Sequence, residues 1–198
     1  EWNGPFTAQV INQAVDSGAL ALNMSWTTRR EVPCSPSGYD PDIRQSLVRA
    51  YNYNRVSVAA MGNESIECRA YPAGYGHGII AVGAITSTGE RIYNWGNHID
   101  VVAPGTGILT TSAGGGYGNV SGTSFSTPHV TGLASLLQAF YQSRTGGNLY
   151  NDDIENLVRR SATNMETPGW DKFTGTGRID ADSAMKLLLP PNDLAQLV

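Results

Sequence analysis

The sequence predicts an α/β fold in which a mainly parallel sheet lies between helices. Helix and strand patterns alternate along the chain, and the predicted strands are apolar on both faces, which is typical of a parallel sheet that helices cover. Glycine is in excess, at 23 of 198 residues, or about 12% against about 7% in an average protein. Many of these glycines lie in turns between the predicted elements, and the length suits one domain.

The first half of the chain contains two predicted helices and three predicted strands. Apolar residues recur at helical spacing along residues 6–14, and Gly18 is a typical helix stop. A second helix is predicted to begin at Pro41, because proline suits the first turn of a helix. The strands are predicted at the apolar runs 19–26, 56–61 and 78–85. Residues 27–40, between the first predicted strand and the second predicted helix, are predicted to form a surface loop.

The second half contains two shorter strands and then helices. The strands are predicted at residues 99–103 and 108–111, and residues 114–118 form a glycine-rich turn. The helices are predicted at residues 123–141, 152–162 and 181–189. Residues 190–198 begin with two prolines and are predicted to be a tail or a cut linker, so the domain is expected to cover residues 1–189.

Charge and hydropathy exclude two classes of partner. The chain holds 13 Lys and Arg against 17 Asp and Glu, for a net charge of −4, and the basic residues do not cluster. We therefore expect no nucleic-acid-binding surface. The longest apolar runs are far shorter than the roughly 20 residues that span a bilayer, so no membrane segment is expected.

The segment 122–132, with the sequence GTSFSTPHVTG, carries the pattern that is most specific for chemistry. A Gly-Thr turn places Ser124 in the first turn of an apolar helix, where free backbone N–H groups and the helix dipole favour a negative charge. A serine nucleophile requires such donors for the oxyanion that forms when it attacks a carbonyl. From these residues alone, a Ser/Thr-rich helix cap is the better interpretation.

Six blocks of the sequence resemble the subtilisin-like serine proteases, or subtilases. GTSFSTPHVTG is similar to the signature around the reactive serine of that family. VAAMGN, at residues 58–63, resembles the strand that ends in the family's oxyanion-hole asparagine. The other blocks occur in the family's order and are NMSW at 23–26, IIAVGA at 79–84, VVAPG at 101–105 and GTGRID at 175–180. The resemblance covers most of the chain and implies a three-layer subtilisin-like fold.

The resemblance implies a serine endopeptidase that cleaves polypeptides through an acyl-enzyme. It implies that Ser124 is the nucleophile and that Asn63 holds the oxyanion together with the backbone N–H of Ser124. The residues that it implies for substrate binding are Ser25, Trp26, Thr27, Ala60, Met61, Gly62 and Thr123. Trp26 and two threonines stand where the family commonly has Leu-Gly-Gly, and Met61 stands where alanine is common. Substrate preference therefore stays open.

The aspartate and histidine motifs of the family are absent from the sequence. Asp16 stands in an Asp-Ser-Gly sequence that ends a predicted helix. His77-Gly78 lacks the threonine of the family's His-Gly-Thr and leads into a predicted strand rather than opening a helix. His129 follows Ser124 in the same predicted helix, where packing or capping is the better interpretation, and His98 has no motif around it. We therefore expect the carboxyl-terminal portion of a catalytic domain, incomplete at its amino end. The missing amino-terminal segment of the same domain would carry the Asp and His, and the chain alone is expected to be inactive.

Cys34 and Cys68 are the two cysteines of the sequence. By spacing alone they are either a bridge that closes a loop of about 35 residues or two unrelated thiols. Some secreted subtilases bridge the loops that flank the substrate pocket, so the resemblance favours the bridge and an extracellular location. Many subtilases also bind structural Ca²⁺, but no compact acidic loop of this sequence identifies such a site. Catalysis is expected to need no cofactor and no metal.

Two alternatives to the protease are considered. A subtilase relative without catalysis, acting as a binding or regulatory module, would keep the scaffold but would not need both Ser124 and Asn63. An esterase of the α/β-hydrolase class would carry Gly-x-Ser-x-Gly, but Ser126 occupies the last position of that pattern here. The residues therefore favour the protease, with the binding module as the alternative.

Overall fold

The computed structural model describes residues 3–28 and 38–189, and in them helices cover both faces of a five-stranded sheet. The helices are α1 (Gly4–Asp16), α2 (Pro41–Asn52), α3 (Thr123–Thr145), α4 (Asn151–Ser161) and α5 (Ala181–Leu187). The strands are β1 (Ala21–Met24), β2 (Val56–Ala60), β3 (Ile80–Ile85), β4 (Arg91–Ile92), β5 (Val101–Pro104), β6 (Ile108–Thr111) and β7 (Tyr117–Val120). The first three helices predicted from the sequence begin within two residues of where the structure begins them.

The sheet is mainly parallel. Strands β1, β2, β3 and β5 run in the same direction, and the two-residue strand β4 pairs antiparallel with β3. The loops that follow β1, β2 and β5 therefore leave the sheet at one edge, its carboxyl edge. In the described residues β1 pairs with β2 alone. The side of β1 that faces away from β2 therefore has no partner strand there, and we call it the open edge of β1. Ligand sites of open α/β sheets lie at such carboxyl edges.

The core consists of two apolar layers, one on each face of the sheet. On one face, Met24 and Ala81 pack with Leu47 of α2 in the first layer. On the other face, Val58 and Val82 pack with residues of α3 and α4 in the second layer. Neighbouring residues of β2 and β3 are all buried, because helices cover both faces. This arrangement is the three-layer α/β fold that the sequence predicts.

Helix starts agree with their sequence signals. Pro41 is the first residue of α2, and the Asp40 carboxylate before it accepts hydrogen bonds from the backbone N–H of Asp42 (3.0 Å) and Ile43 (3.1 Å). Such a cap satisfies N–H groups that have no partner inside the helix. The carboxyl-terminal residues 190–198 lie outside the described residues, so their assignment as a tail or linker stays a prediction.

One turn prediction is wrong. Residues 117 and 118 were assigned to a glycine-rich turn, but they belong to β7, which pairs antiparallel with β6 in a separate hairpin. Thr111 lies opposite Tyr117 and Ile108 lies opposite Val120. Only the three glycines 114–116, each with positive φ, remain in the turn. Cross-strand pairing, which a single segment does not reveal, extends the strand into the glycine-rich sequence.

Asp100 joins the amino ends of β3 and β5, at the sheet edge opposite the loops described above. Its Oδ2 accepts a hydrogen bond from the Ala81 N–H at 2.8 Å, and its Oδ1 lies 3.7 Å from the Arg159 guanidinium. Burial raises the pKa of the Asp100 carboxyl to about 7, and the nearby Glu155 adds to the shift while Arg159 opposes it. The folded protein therefore disfavours the ionised carboxylate near neutral pH.

Asp100→Asn is expected to raise the free energy of unfolding at pH 8, by on the order of 1–2 kcal/mol. The pKa of Asp100 in the folded protein lies above the ordinary 3.8. The stability that the protonated carboxyl contributes is therefore complete below pH 3.8 and is lost as the pH rises to about 7. An asparagine still accepts from Ala81 but does not ionise. Urea denaturation at pH 4.5 and pH 8 measures the difference, with Asp42→Asn as the control for net charge. An equal effect at both pH values would contradict the prediction.

Candidate active site

Ser124 lies in the first turn of the 23-residue helix α3, at the carboxyl edge of the sheet. Gly122 precedes the helix with a φ of +148°, a backbone conformation that favours glycine. Its N–H donates to the Gly105 carbonyl at 2.8 Å, which holds the start of α3 against the loop after β5. The half-buried Ser124 is thus held where the helix dipole and unpaired N–H groups favour a negative charge.

Asn63, in the loop after β2, is held against the same helix start by Thr123. Its Oδ1 accepts hydrogen bonds from both the N–H and the hydroxyl of Thr123, each at 2.9 Å. The Thr123 hydroxyl in turn accepts from the Gly62 N–H at 3.1 Å. Since Oδ1 is occupied, the amide group that remains is Nδ2, which lies 3.2 Å from where a Cβ on Gly122 would be. The arrangement therefore places the Nδ2 donor of Asn63 beside Gly122, which precedes Ser124 by two positions.

Ser25 connects the end of β1 to Ser124 by two reciprocal hydrogen bonds. The Ser25 hydroxyl donates to the Ser124 carbonyl at 2.7 Å, and the Ser124 hydroxyl donates to the Ser25 carbonyl at 2.9 Å. Asn23 donates from Nδ2 to the Ser25 hydroxyl at 2.9 Å and accepts at Oδ1 from Thr131 at 3.0 Å. Sequence reasoning missed Asn23 and Thr131 as contacts of this site. The polar residue at position 23 within an apolar strand was the available signal.

The residues predicted to bind substrate lie in two environments. Ser25, Trp26 and Thr27 are half-buried in the loop that follows β1. Gly62 and Thr123 are buried and hydrogen-bonded to each other beside Asn63. The remaining two, Ala60 and Met61, are fully buried, and Met61 packs in the apolar layer under α1 and α2. The bulk of Met61 therefore fills the core rather than a surface cleft.

In residues 3–28 and 38–189 the Ser124 hydroxyl donates to the Ser25 carbonyl, and no hydrogen bond joins it to a histidine. His129 Nδ1 lies 2.7 Å from the Phe125 carbonyl one turn earlier in α3. His77 packs edge-on against the Tyr51 ring, with centroids 4.8 Å apart. Burial lowers the pKa of His98 to about 4, with a smaller contribution from Arg69. Asp16, in the Asp-Ser-Gly sequence at the end of α1, forms an ion pair with Arg49 of α2.

Two further sequence predictions concern cysteines and metals. Cys34 lies outside the described residues, and Cys68 is buried, so the bridge between them stays a prediction. In the part of the chain that is described, no three His, Cys, Asp or Glu side chains are arranged to hold a metal ion. None of the described helices has both the length and the apolar character needed to cross a bilayer.

Ser126 carries a buried hydroxyl next to the site. Its Oγ has no hydrogen-bond partner within the described residues, and a Cβ on Gly105 would contact it. A buried polar atom without a partner loses its hydration without compensation.

Ser126→Ala is therefore expected to raise the free energy of unfolding by about 1 kcal/mol. Urea denaturation of the two proteins at one pH measures this change. Ser135→Ala on the same helix is the matched control, because the Ser135 hydroxyl donates to the Thr131 carbonyl at 3.0 Å. Equal stability changes for the two variants would show that the Ser126 hydroxyl is solvated.

Comparison with known proteins decides the family. The profile of the subtilase family, peptidase S8, matches residues 2–177. This chain belongs to the subtilase family. The predicted family and the predicted α/β class with a mainly parallel sheet are therefore confirmed. Membership supports a serine peptidase function in general terms.

Several individual subtilases are similar to this chain. The thermostable alkaline protease of Halalkalibacterium halodurans is 32% identical over 179 residues, which are 89% of this chain and 45% of that protein. Subtilisin DY of Bacillus licheniformis is 32% identical over 190 residues, which are 92% of this chain and 63% of that protein. The chain thus spans less than two thirds of either relative. The prenylagaramide maturation protease PagA superimposes with a TM-score of 0.83 at 28% identity, covering 96% of this subtilase chain and 69% of PagA.

Proposed function

We propose that the protein is a serine endopeptidase that hydrolyses peptide bonds through an acyl-enzyme on Ser124. The Ser124 oxygen attacks the peptide carbonyl carbon while its proton passes to a histidine base. The resulting oxyanion accepts hydrogen bonds from Asn63 Nδ2 and the Ser124 N–H. Collapse breaks the peptide bond, the amine leaves with the proton, and water then releases the acyl group from Ser124.

The orientation of the Asn63 side chain is the observation that supports this proposal best. Thr123 occupies Oδ1 with two donors, so the donor end of the amide is the one beside Gly122, which precedes Ser124 by two positions. The contact joins positions 60 residues apart in the sequence. A helix cap alone would not require a second chain segment to place an N–H donor beside Gly122.

We further propose that the Asp and His come from a segment of the same protein that precedes these residues. The open edge of β1 supports this, because a strand added there in parallel would end at the carboxyl edge, close to Ser25 and Ser124. The histidines support it too, since in the described residues none of them is hydrogen-bonded to Ser124. His129 contacts the Phe125 carbonyl, and His77 packs on Tyr51. Without that segment the chain would be inactive as a protease.

We also propose an extracellular location and a disulfide bridge between Cys34 and Cys68. The family resemblance of the flanking loops supports both. Mass spectrometry of a non-reduced digest would detect the cross-linked peptides, and finding both cysteines alkylated without reduction would contradict the bridge. The described residues offer no acidic cluster for structural Ca²⁺, so no site for that ion is proposed.

The function is tested by labelling with a fluorophosphonate probe, which reacts with activated serines. Two proteins are compared: the chain itself, and the extended protein, meaning the chain preceded by the segment that its gene encodes upstream. We expect rapid labelling of the extended protein, none of its Ser124→Ala variant and none of the chain alone. Ser121→Ala, which removes an exposed serine three residues away, is expected to label normally.

The outcomes separate the two candidate functions. A folded extended protein that is not labelled would contradict the protease and favour the binding or regulatory module. The hydrogen bond from the Ser124 hydroxyl to the Ser25 carbonyl is the observation that this alternative has in its favour. Rapid labelling of the chain alone would show that one of its own histidines acts as the base.

A further inference from the structure

A buried asparagine lies under the loop that carries Asn63. Asn94 follows β4, is 2% exposed, and uses both ends of its amide. Its Nδ2 donates to the Met61 carbonyl at 3.0 Å, and its Oδ1 accepts from the Glu64 N–H at 2.9 Å. The backbone N–H of Asn94 also donates to the Gly62 carbonyl at 3.3 Å. Asn94 therefore holds the backbone on both sides of Asn63.

The Glu64 carboxylate links Asn94 to Asn63 directly. Its Oε2 accepts from Asn94 Nδ2 at 2.6 Å and from the Asn63 N–H at 2.9 Å. Hydrogen bonds to a carboxylate are stronger than those between neutral groups. The Asn63 backbone is therefore fixed by a charged acceptor that a buried amide holds in place.

Gly62 shows how closely this arrangement is packed. It has a φ of +94°, and a Cβ there would lie 2.5 Å from Asn94 Nδ2 and 2.8 Å from Glu64 Oε2. Its N–H donates to the Thr123 hydroxyl on the opposite side. The loop is thus clamped between Thr123, which orients the Asn63 side chain, and the pair of Asn94 and Glu64, which fixes its backbone.

We infer that Asn94 and Glu64 are positioning residues for the oxyanion donor Asn63. The inference rests on the proposed function, because it requires Asn63 to stabilise an oxyanion. The hydrogen bonds described above lead from both residues to Asn63 and its neighbours, so we infer that both act through Asn63. Displacing a catalytic group by about 1 Å can cost about 100-fold in rate. Loss of either residue should therefore lower kcat and leave KM nearly unchanged.

A double-mutant cycle in the extended protein tests the inference. With a chromogenic peptide substrate, Asn94→Ala is expected to lower kcat by about 10-fold to 100-fold. In an Asn63→Ala background the same substitution should cost less than about 2-fold, because the group that it positions is already gone. A merely structural role would give the same loss in both backgrounds, and that result would overturn the inference.

Controls and a second variant keep the test decisive if Asn94→Ala folds poorly. Glu64→Ala is expected to lower kcat in the same way, and Glu64→Gln, which keeps an acceptor for the Asn63 N–H, should restore most of it. Asn97→Ala, at an exposed asparagine three residues further along, should change nothing. Full activity of both Asn94→Ala and Glu64→Ala would overturn the inference, whereas wild-type activity no higher than that of Ser124→Ala would overturn the proposed function itself.

Hydrogen exchange in the chain itself gives an independent readout. Glu64→Ala removes the acceptor of the Asn63 N–H, so exchange at Asn63 should rise about 10-fold or more, while exchange at Val82 in the core stays unchanged. Unchanged exchange at Asn63 would show that the carboxylate does not hold this backbone, and the inference would fail whatever the activity.

Discussion

Asn63→Ala is expected to lower kcat of the extended protein about 10²-fold to 10³-fold, with a much smaller change in KM. The substitution removes Nδ2, the side-chain donor that lies beside Gly122 because Thr123 occupies Oδ1. This hydrogen bond would strengthen as the oxyanion forms, so its loss raises the transition state more than the substrate complex. The effect corresponds to about 2.7–4 kcal/mol.

Steady-state kinetics with a peptide anilide measures the split between kcat and KM. Thr123→Ser, which keeps the hydroxyl that binds Asn63 Oδ1, is the control and should retain most of the activity. Thermal denaturation of each variant separates a catalytic loss from unfolding. An Asn63→Ala enzyme with unchanged kcat would show that the oxyanion is held by other donors.

Gly177→Ala is expected to lower the free energy of unfolding by more than about 3 kcal/mol. Gly177 has a φ of +119°, and a Cβ there would lie 2.7 Å from the Thr163 carbonyl carbon and 2.9 Å from Asn164 Cα. Its own carbonyl accepts from the Val102 N–H at 2.9 Å, so the backbone cannot move away without breaking a contact to β5. The clash is with main chain, which does not yield as a flexible side chain does.

Gly169→Ala is the matched control for this substitution. Gly169 has a similar φ of +96°, but nothing lies within 4 Å of an added Cβ. It should therefore show only the cost of a positive φ, about 1 kcal/mol. Chemical denaturation measures both variants, and equal losses would mean that backbone conformation alone, without the close approach, requires glycine at position 177.

The central strands were predictable because burial on both faces of the sheet requires a nearly continuous run of apolar residues. β2 and β3 are buried along their whole length, and their apolar runs marked them. The end of α3 was predicted too early, at residue 141. The polar residues Ser143 and Thr145 lie in the last turns of the helix, which ends where Gly146 adopts a left-handed φ of +72°. β7 was missed because its partner β6, rather than its own composition, makes it a strand.

Only those site residues that lie in a recognisable sequence motif could be predicted. Ser124 and Asn63 lie in blocks with a family resemblance, and the structure brings them to one helix start. Asn94 was missed because an asparagine in a polar loop is typical of a surface turn, and its burial depends on β4 folding back on β3. Met61 follows β2 and packs in the apolar core, while its predicted part in substrate binding stays a prediction.

The contacts that assemble the site join distant parts of the chain, and this affects when the site forms during synthesis. Ser25 and Ser124 are 99 positions apart, and Asn63 and Thr123 are 60 apart. Such contacts form only after the long stretch of chain between the two residues has been synthesised and has folded back. When β1 and β2 have emerged from the ribosome but α3 has not, the nascent chain therefore has no reactive centre. In the proposed protease, the order of translation itself would protect the nascent polypeptide from self-cleavage.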